Sequence, residues 1–176
     1  MEKIKNPDYW IITILLVVLF VFANDIALAI PLKETYHLQE IELNKYNEFA
    51  KNFDYKIESI YTKQDIFFTT EISGYALLQP DQASPNKAIK LVFSSADKRY
   101  EVDASIIDRF NLNQLYGDKG IVGINHGFIT RFSPLKMENG IYKLYIYCYE
   151  NDNTIGFMDT NRTFEKTYRT FKEVKK

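Results

Sequence analysis

The sequence predicts an all-β protein, an antiparallel β-sandwich with one short helix, preceded by an N-terminal transmembrane helix. Three observations lead there. Residues 10–23 carry no charge, and Thr13 is their only polar side chain. From Phe53 onward, segment after segment alternates apolar and polar residues with a period of two, the signature of strands with one wet face. Finally, 13 Tyr and 13 Phe among 176 residues suit a pleated, half-buried surface.

The apolar run resumes after Asn24 and Asp25 as Ile26–Leu32. A hydrocarbon core about 30 Å thick needs roughly 20 helical residues, which Tyr9–Leu32 supplies if Asn24 and Asp25 reach the headgroups. Tyr9 and Trp10 then mark the interface on the entry side. A cleaved signal peptide is the competing reading, since Ala23 and Ala29 each end a small-residue cleavage pattern. A retained anchor is favoured. Lys3 and Lys5 precede the run and only Lys33 follows closely, which places the N-terminus in the cytoplasm and the remainder outside it. Cleavage would release the same domain as a secreted one.

After this 1–32 segment, residues 33–52 read as a stalk with some helix, from the near-helical spacing of Leu38, Ile41, Lys45 and Phe49. The sandwich is expected over residues 53–165. Phe53, Tyr55 and Ile57 alternate with Asp54, Lys56 and Glu58, and a second strand follows over residues 66–78. Pro80 and Pro85 mark a loop. Residues 88–95 and 100–106 flank a turn at Ala96–Arg99 and form a hairpin. Asn111 can cap a short helix through Leu115, because its side chain accepts from amides of the first turn. Strands follow at 125–132 and 141–149, the latter with Tyr142, Leu144, Ile146 and Cys148 on one face and Tyr145, Tyr147 and Tyr149 on the other. A last strand near 155–158 continues over 160–165. Residues 166–176 form a basic C-terminal tail.

Composition narrows the function. The 22 basic and 23 acidic residues nearly balance, and no basic stripe exists to receive nucleic acid. The single cysteine, Cys148, excludes an internal disulfide and a cysteine-based zinc site. It lies in an apolar strand, where a buried, inert thiol is expected. The two histidines, His37 and His126, sit in the stalk and at a strand start, and no nucleophile, phosphate or dinucleotide motif accompanies them. Neither a cofactor nor a metal is expected, and no catalytic residue stands out. The aromatics are read first as core, with sugar stacking as the sharper alternative.

Several landmarks recur in order: Ile72-Ser-Gly-Tyr-Ala76, Ile89-Lys-Leu-Val-Phe93, Tyr100-Glu-Val-Asp103, Arg109-Phe-Asn-Leu112, His126-Gly-Phe128 and Gly140-Ile-Tyr-Lys-Leu-Tyr-Ile146. Together they resemble the Ig-like β-sandwich accessory module of bacterial cell-surface glycan glycosyltransferases and small membrane-anchored envelope proteins. That module shows Gly-Trp-Ala, then Arg-Pro-Asp-Val, then Gly-Phe; here Tyr75, Phe110, Asn111 and Leu112 replace Trp, Pro, Asp and Val. The resemblance implies a non-catalytic, membrane-tethered module for envelope polysaccharide assembly or binding. Its partners would be the membrane and a cell-surface glycan or glycan-assembly membrane protein. It singles out Tyr75, Arg109 and Phe128 as structural or ligand contacts, with Tyr75 and Arg109 stacked. An exported hydrolase of cell-wall polymer is the alternative.

Overall fold

A computed structural model describes residues 7–21, 36–46, 53–63, 68–77, 87–109, 111, 112, 114, 126–150 and 153–174. Helix α1 spans Pro7–Val21. Among the described residues nine strands follow: β1 Gln39–Ile41, β2 Asp54–Lys63, β3 Thr69–Leu77, β4 Lys87–Ser94, β5 Arg99–Ile107, β6 Gly127–Phe132, β7 Gly140–Glu150, β8 Asn153–Thr167 and β9 Thr170–Val174. A 3-10 turn at Pro134–Lys136 separates β6 from β7.

All pairings are antiparallel, in the order β2-β3-β6-β5-β4-β7-β8-β9, with β1 added beside β5. Strand β5 organises this path. It pairs with β4 over Arg99–Ala104, while Ser105–Ile107 pair with β6. The sheet therefore curls into a barrel-like form whose two halves face each other across one core. Its ends meet at a seam between β2 and β8–β9. There side chains reach opposing carbonyls: Tyr55 Oη donates to Asp159 O (3.3 Å), Arg162 Nη2 to Ile57 O (3.2 Å) and Thr62 Oγ1 to Phe171 O (3.2 Å).

The alternation read from the sequence decides which side chains enter the core. Ile89, Leu91 and Phe93 of β4 are buried with Tyr142, Leu144, Ile146 and Cys148 of β7. Phe93 lies 5.2 Å from Phe132, 5.9 Å from Phe164 and 5.6 Å from Phe171, ring centre to ring centre, so four strands share one aromatic knot. Such tilted and edge-on pairs add about 0.5–1.5 kcal/mol each beyond the area they bury.

Two irregularities have local causes. Gly74 pairs with Ile57 where β2 bulges, and any Cβ there would collide with Lys56 O; the Phe128 ring lies over the vacant position instead. In β8, two extra residues intervene between the partners of Leu144 and Tyr145. Asn161 absorbs the bend at φ 56°, a left-handed conformation that Asn tolerates better than most residues, and Asp159 Oδ1 accepts its amide (2.7 Å).

Two expectations change. Residues 36–46 are not a partly helical stalk. Leu38 enters the core, β1 pairs with β5, and Leu43–Tyr46 form a turn. The near-helical spacing there was incidental, because backbone pairing to β5 outweighs a weak local pattern. Nor is 166–176 simply a tail: β9 joins β8, and Phe171 is buried among Phe93, Phe132 and Phe164. Of the helix expected at Asn111–Leu115, Asn111, Leu112 and Gln114 are described: Asn111 lies in a turn, and Leu112 and Gln114 have helical backbone. Leu112 N–H donates to Arg109 O (2.9 Å).

Candidate functional site on the outer sheet face

The side chains that alternate away from the core on β4, β5, β7 and β8 build a second surface. Register places Val92 opposite both Glu101 and Tyr145, and Lys90 opposite both Asp103 and Tyr147. Tyr147 in turn lies opposite Phe157. Two rungs of one sheet thus carry two carboxylates, a lysine and a run of aromatics on one face.

The aromatics form a platform. Tyr145 stacks on Phe157 with centroids 4.8 Å apart and planes 7° apart. Tyr147 and Tyr149 stack at 5.3 Å and 21°. All three tyrosines remain half-buried. Tyr46, from the turn after β1, leans on this platform at 4.3 Å from Tyr147 and stacks on Phe157 at 5.6 Å and 20°.

Beside the rings lies Glu101, only 3% exposed. Its Oε1 accepts from Lys45 Nζ and Lys90 Nζ, each at 2.9 Å, and its Oε2 accepts from the Tyr46 hydroxyl. Lys90 Nζ also lies 3.4 Å from Asp103 and 5.9 Å from the Tyr149 ring centre. Burial on its own would raise the Glu101 pKa. The bonds from Tyr46, Lys45 and Lys90 outweigh it and hold the carboxyl below its ordinary value. Burial and the neighbouring carboxylate push the Tyr46 phenol far up, so it stays a donor at every physiological pH. Lys90 loses some basicity to burial, but Glu101 and Asp103 more than restore it. Glu101 is therefore an anion, Lys90 a cation and Tyr46 a neutral donor. A flat aromatic surface with fixed polar groups at its rim suits a ligand with an apolar face and hydroxyl edges.

The residues singled out from sequence lie elsewhere. Tyr75 faces away from the main core in a small cluster with Leu77 and Leu112. It pairs with Gly127, where a Cβ would collide with the Arg109 stem and come within 2.7 Å of Ile107 Cγ1. The Arg109 stem thus crosses Gly127 on the Tyr75 side of the sheet. The Arg109 guanidinium pairs with Glu58, and its Nε donates to Asn111 Oδ1 (3.3 Å). Phe128 is fully buried in the main core, on the other face. It serves packing across Gly74. His126 is buried at the entry to β6, where its carbonyl accepts the Ala76 amide (2.9 Å).

A cavity of about 410 Å³ opens at the β2–β8 seam, lined by Asp54, Tyr55, Lys56, Met158 and Arg162 among others. Asp54 is the only carboxylate in its lining among the described residues. No cluster of His, Cys, Asp and Glu among the described residues could hold a metal ion.

Sequence reading separated Tyr145, Tyr147 and Tyr149 from the core but missed Glu101, Lys45 and Tyr46. A glutamate inside Tyr100-Glu-Val-Asp103 carries no local mark of burial. Its cover comes from residues more than fifty positions earlier.

Fold and surface together define an all-β domain with an aromatic, carboxylate-edged outer face. No family model, curated protein or solved structure matches the chain.

Proposed function

We propose that this chain is a non-catalytic module tethered to a bacterial membrane by its N-terminal helix. Its β domain would lie on the extracytoplasmic side and contact envelope polysaccharide or a glycan-assembly membrane protein. The observation that carries this reading is α1. Trp10, Ile11, Ile12, Ile14, Leu15, Leu16, Val17 and Val18 are 46–67% exposed, with apolar side chains all round the helix. A helix apolar on every side finds its stable partner in lipid or deep in a protein. Among the described residues no helix is long and apolar enough to cross a membrane; α1 has 15 residues, about 22 Å at 1.5 Å each. Residues 22–32, which would complete the span, lie outside the described residues.

Strand order supports kinship with the Ig-like module. One half runs β2-β3-β6-β5 and the other β5-β4-β7-β8-β9, with β1 added beside β5. Apart from β1 and β9, this order matches the A-B-E-D and C′-C-F-G order of an immunoglobulin sandwich if β5 stands for both D and C′. The tyrosine platform supplies the glycan-facing surface, and Glu101 is held by three structural bonds rather than poised for chemistry.

The test uses the full chain. The protein should sediment with membranes after a high-salt wash, and a reporter fused after Lys176 should be active only outside the cytosol. A soluble chain, or a reporter active only in the cytosol, overturns the tether. Release of reducing sugar from cell-wall polymer by the purified chain would favour the hydrolase instead.

A further inference from the structure

Tyr46 sits on the platform the way a sugar ring would. Its flat ring lies 4.3 Å from Tyr147 and stacks on Phe157, while its hydroxyl donates to the buried Glu101. It is not a core residue: it is half-buried and reaches the platform from a turn, outside the sheet. Lys45 fastens the same turn to the same carboxylate, and its Nζ lies 5.6 Å from the Tyr46 ring centre. The turn is itself short, closed by Lys45 N–H to Glu42 O (3.1 Å). Removing Lys45 and Tyr46 from the surface would leave Glu101 still paired with Lys90, beside the Tyr147 and Phe157 rings that Tyr46 touches.

We infer that residues 42–46 are a built-in latch, with Tyr46 occupying the saccharide subsite of the Tyr147–Phe157 platform. Resting on the glycan-binding reading above, the inference adds how that site is regulated. A pyranose ring would replace Tyr46 by stacking on the same rings and donating a hydroxyl to Glu101. Displacement would free the turn that follows β1, while β1 itself stays paired with β5. One ring stack and one charged hydrogen bond, less the entropy of ordering the turn, bias such a latch about tenfold toward closure. A competing ligand meets a correspondingly reduced apparent affinity.

The experiment compares the full-length chain in detergent with Tyr46→Ala and Tyr147→Ala, using cellohexaose and chitohexaose as probes. Far-UV circular dichroism confirms that each variant is folded. The latch predicts that Tyr46→Ala binds one probe about tenfold more tightly than the parent chain and that Tyr147→Ala loses binding. Equal or weaker binding by Tyr46→Ala overturns the latch, while leaving the glycan reading in place if the parent binds. Nitration of Tyr147 by tetranitromethane, followed by mass spectrometry, reads the latch without any sugar. Faster nitration in Tyr46→Ala supports Tyr46 as the cover of Tyr147; an unchanged rate overturns it. If no form binds either probe, the saccharide subsite is overturned whatever the nitration rates.

Discussion

The shared core and the outer face of the β4–β5–β7–β8 half use the same class of residue for opposite ends. Inside, Phe93, Phe132, Phe164 and Phe171 meet edge-on or stacked and exclude water entirely. Outside, Tyr145, Tyr147, Tyr149 and Phe157 stack nearly as closely, but three of the four carry hydroxyls and stay half-exposed. The contrast teaches that ring packing alone does not make a core. What separates the faces is the carboxylate: Glu101 is buried on the outer side only because Lys45, Lys90 and Tyr46 satisfy it.

The comparison breaks most readily at Phe93. Phe93→Ala should cost about 3–5 kcal/mol, because it empties the centre of the aromatic knot, and urea denaturation should show the midpoint falling accordingly. Glu101→Gln should cost less, about 1.5–3 kcal/mol, since hydrogen bonds survive while the charge that strengthens them does not. Acid should reproduce that loss in the parent chain. The folded Glu101 pKa lies below the ordinary 4.5, so its contribution is complete above about pH 4.5 and is lost as pH falls through the folded value. Thermal melts between pH 3 and 6 should decline more steeply for the parent than for Glu101→Gln. Tyr147→Ala should cost only about 1 kcal/mol by the same denaturation assay, because the ring is half-exposed. Equal losses at Phe93 and Tyr147 would erase the distinction between the faces.

The smallest effect concerns the opposite half. A double-mutant cycle of Tyr75→Ala and Arg109→Ala should return a coupling above about 0.5 kcal/mol if the guanidinium plane rests on the ring. Additive losses would assign Tyr75 to the Leu77–Leu112 cluster and Arg109 to Glu58 alone.

Strand positions were legible because burial on one face enforces a period of two. The β7 alternation specifies both the apolar and the tyrosine face, and the β4–β5 hairpin follows from its turn, where Ser95 N–H donates to Lys98 O (2.8 Å). Edges were not legible. Neither β1 nor β9 carries a strong periodic signal, since each is short and buries few side chains, Leu38 just before β1 and Phe171 within β9. The outer site was half legible for the same reason. Periodicity exposed the tyrosines, whereas the Glu101 network joins residues whose proximity depends on tertiary pairing.

Strand β5 has a consequence for cooperativity. Because its first six residues pair in one layer and its last three in the other, neither layer owns a complete set of strands. A fragment ending before Arg99 would lack the ladder that bridges them, and one beginning after Ile107 would leave β6 without either partner strand and β7 without β4. The layers therefore cannot melt in turn as separate subdomains. Heat or denaturant should meet a single all-or-none transition, with calorimetric and van't Hoff enthalpies in agreement.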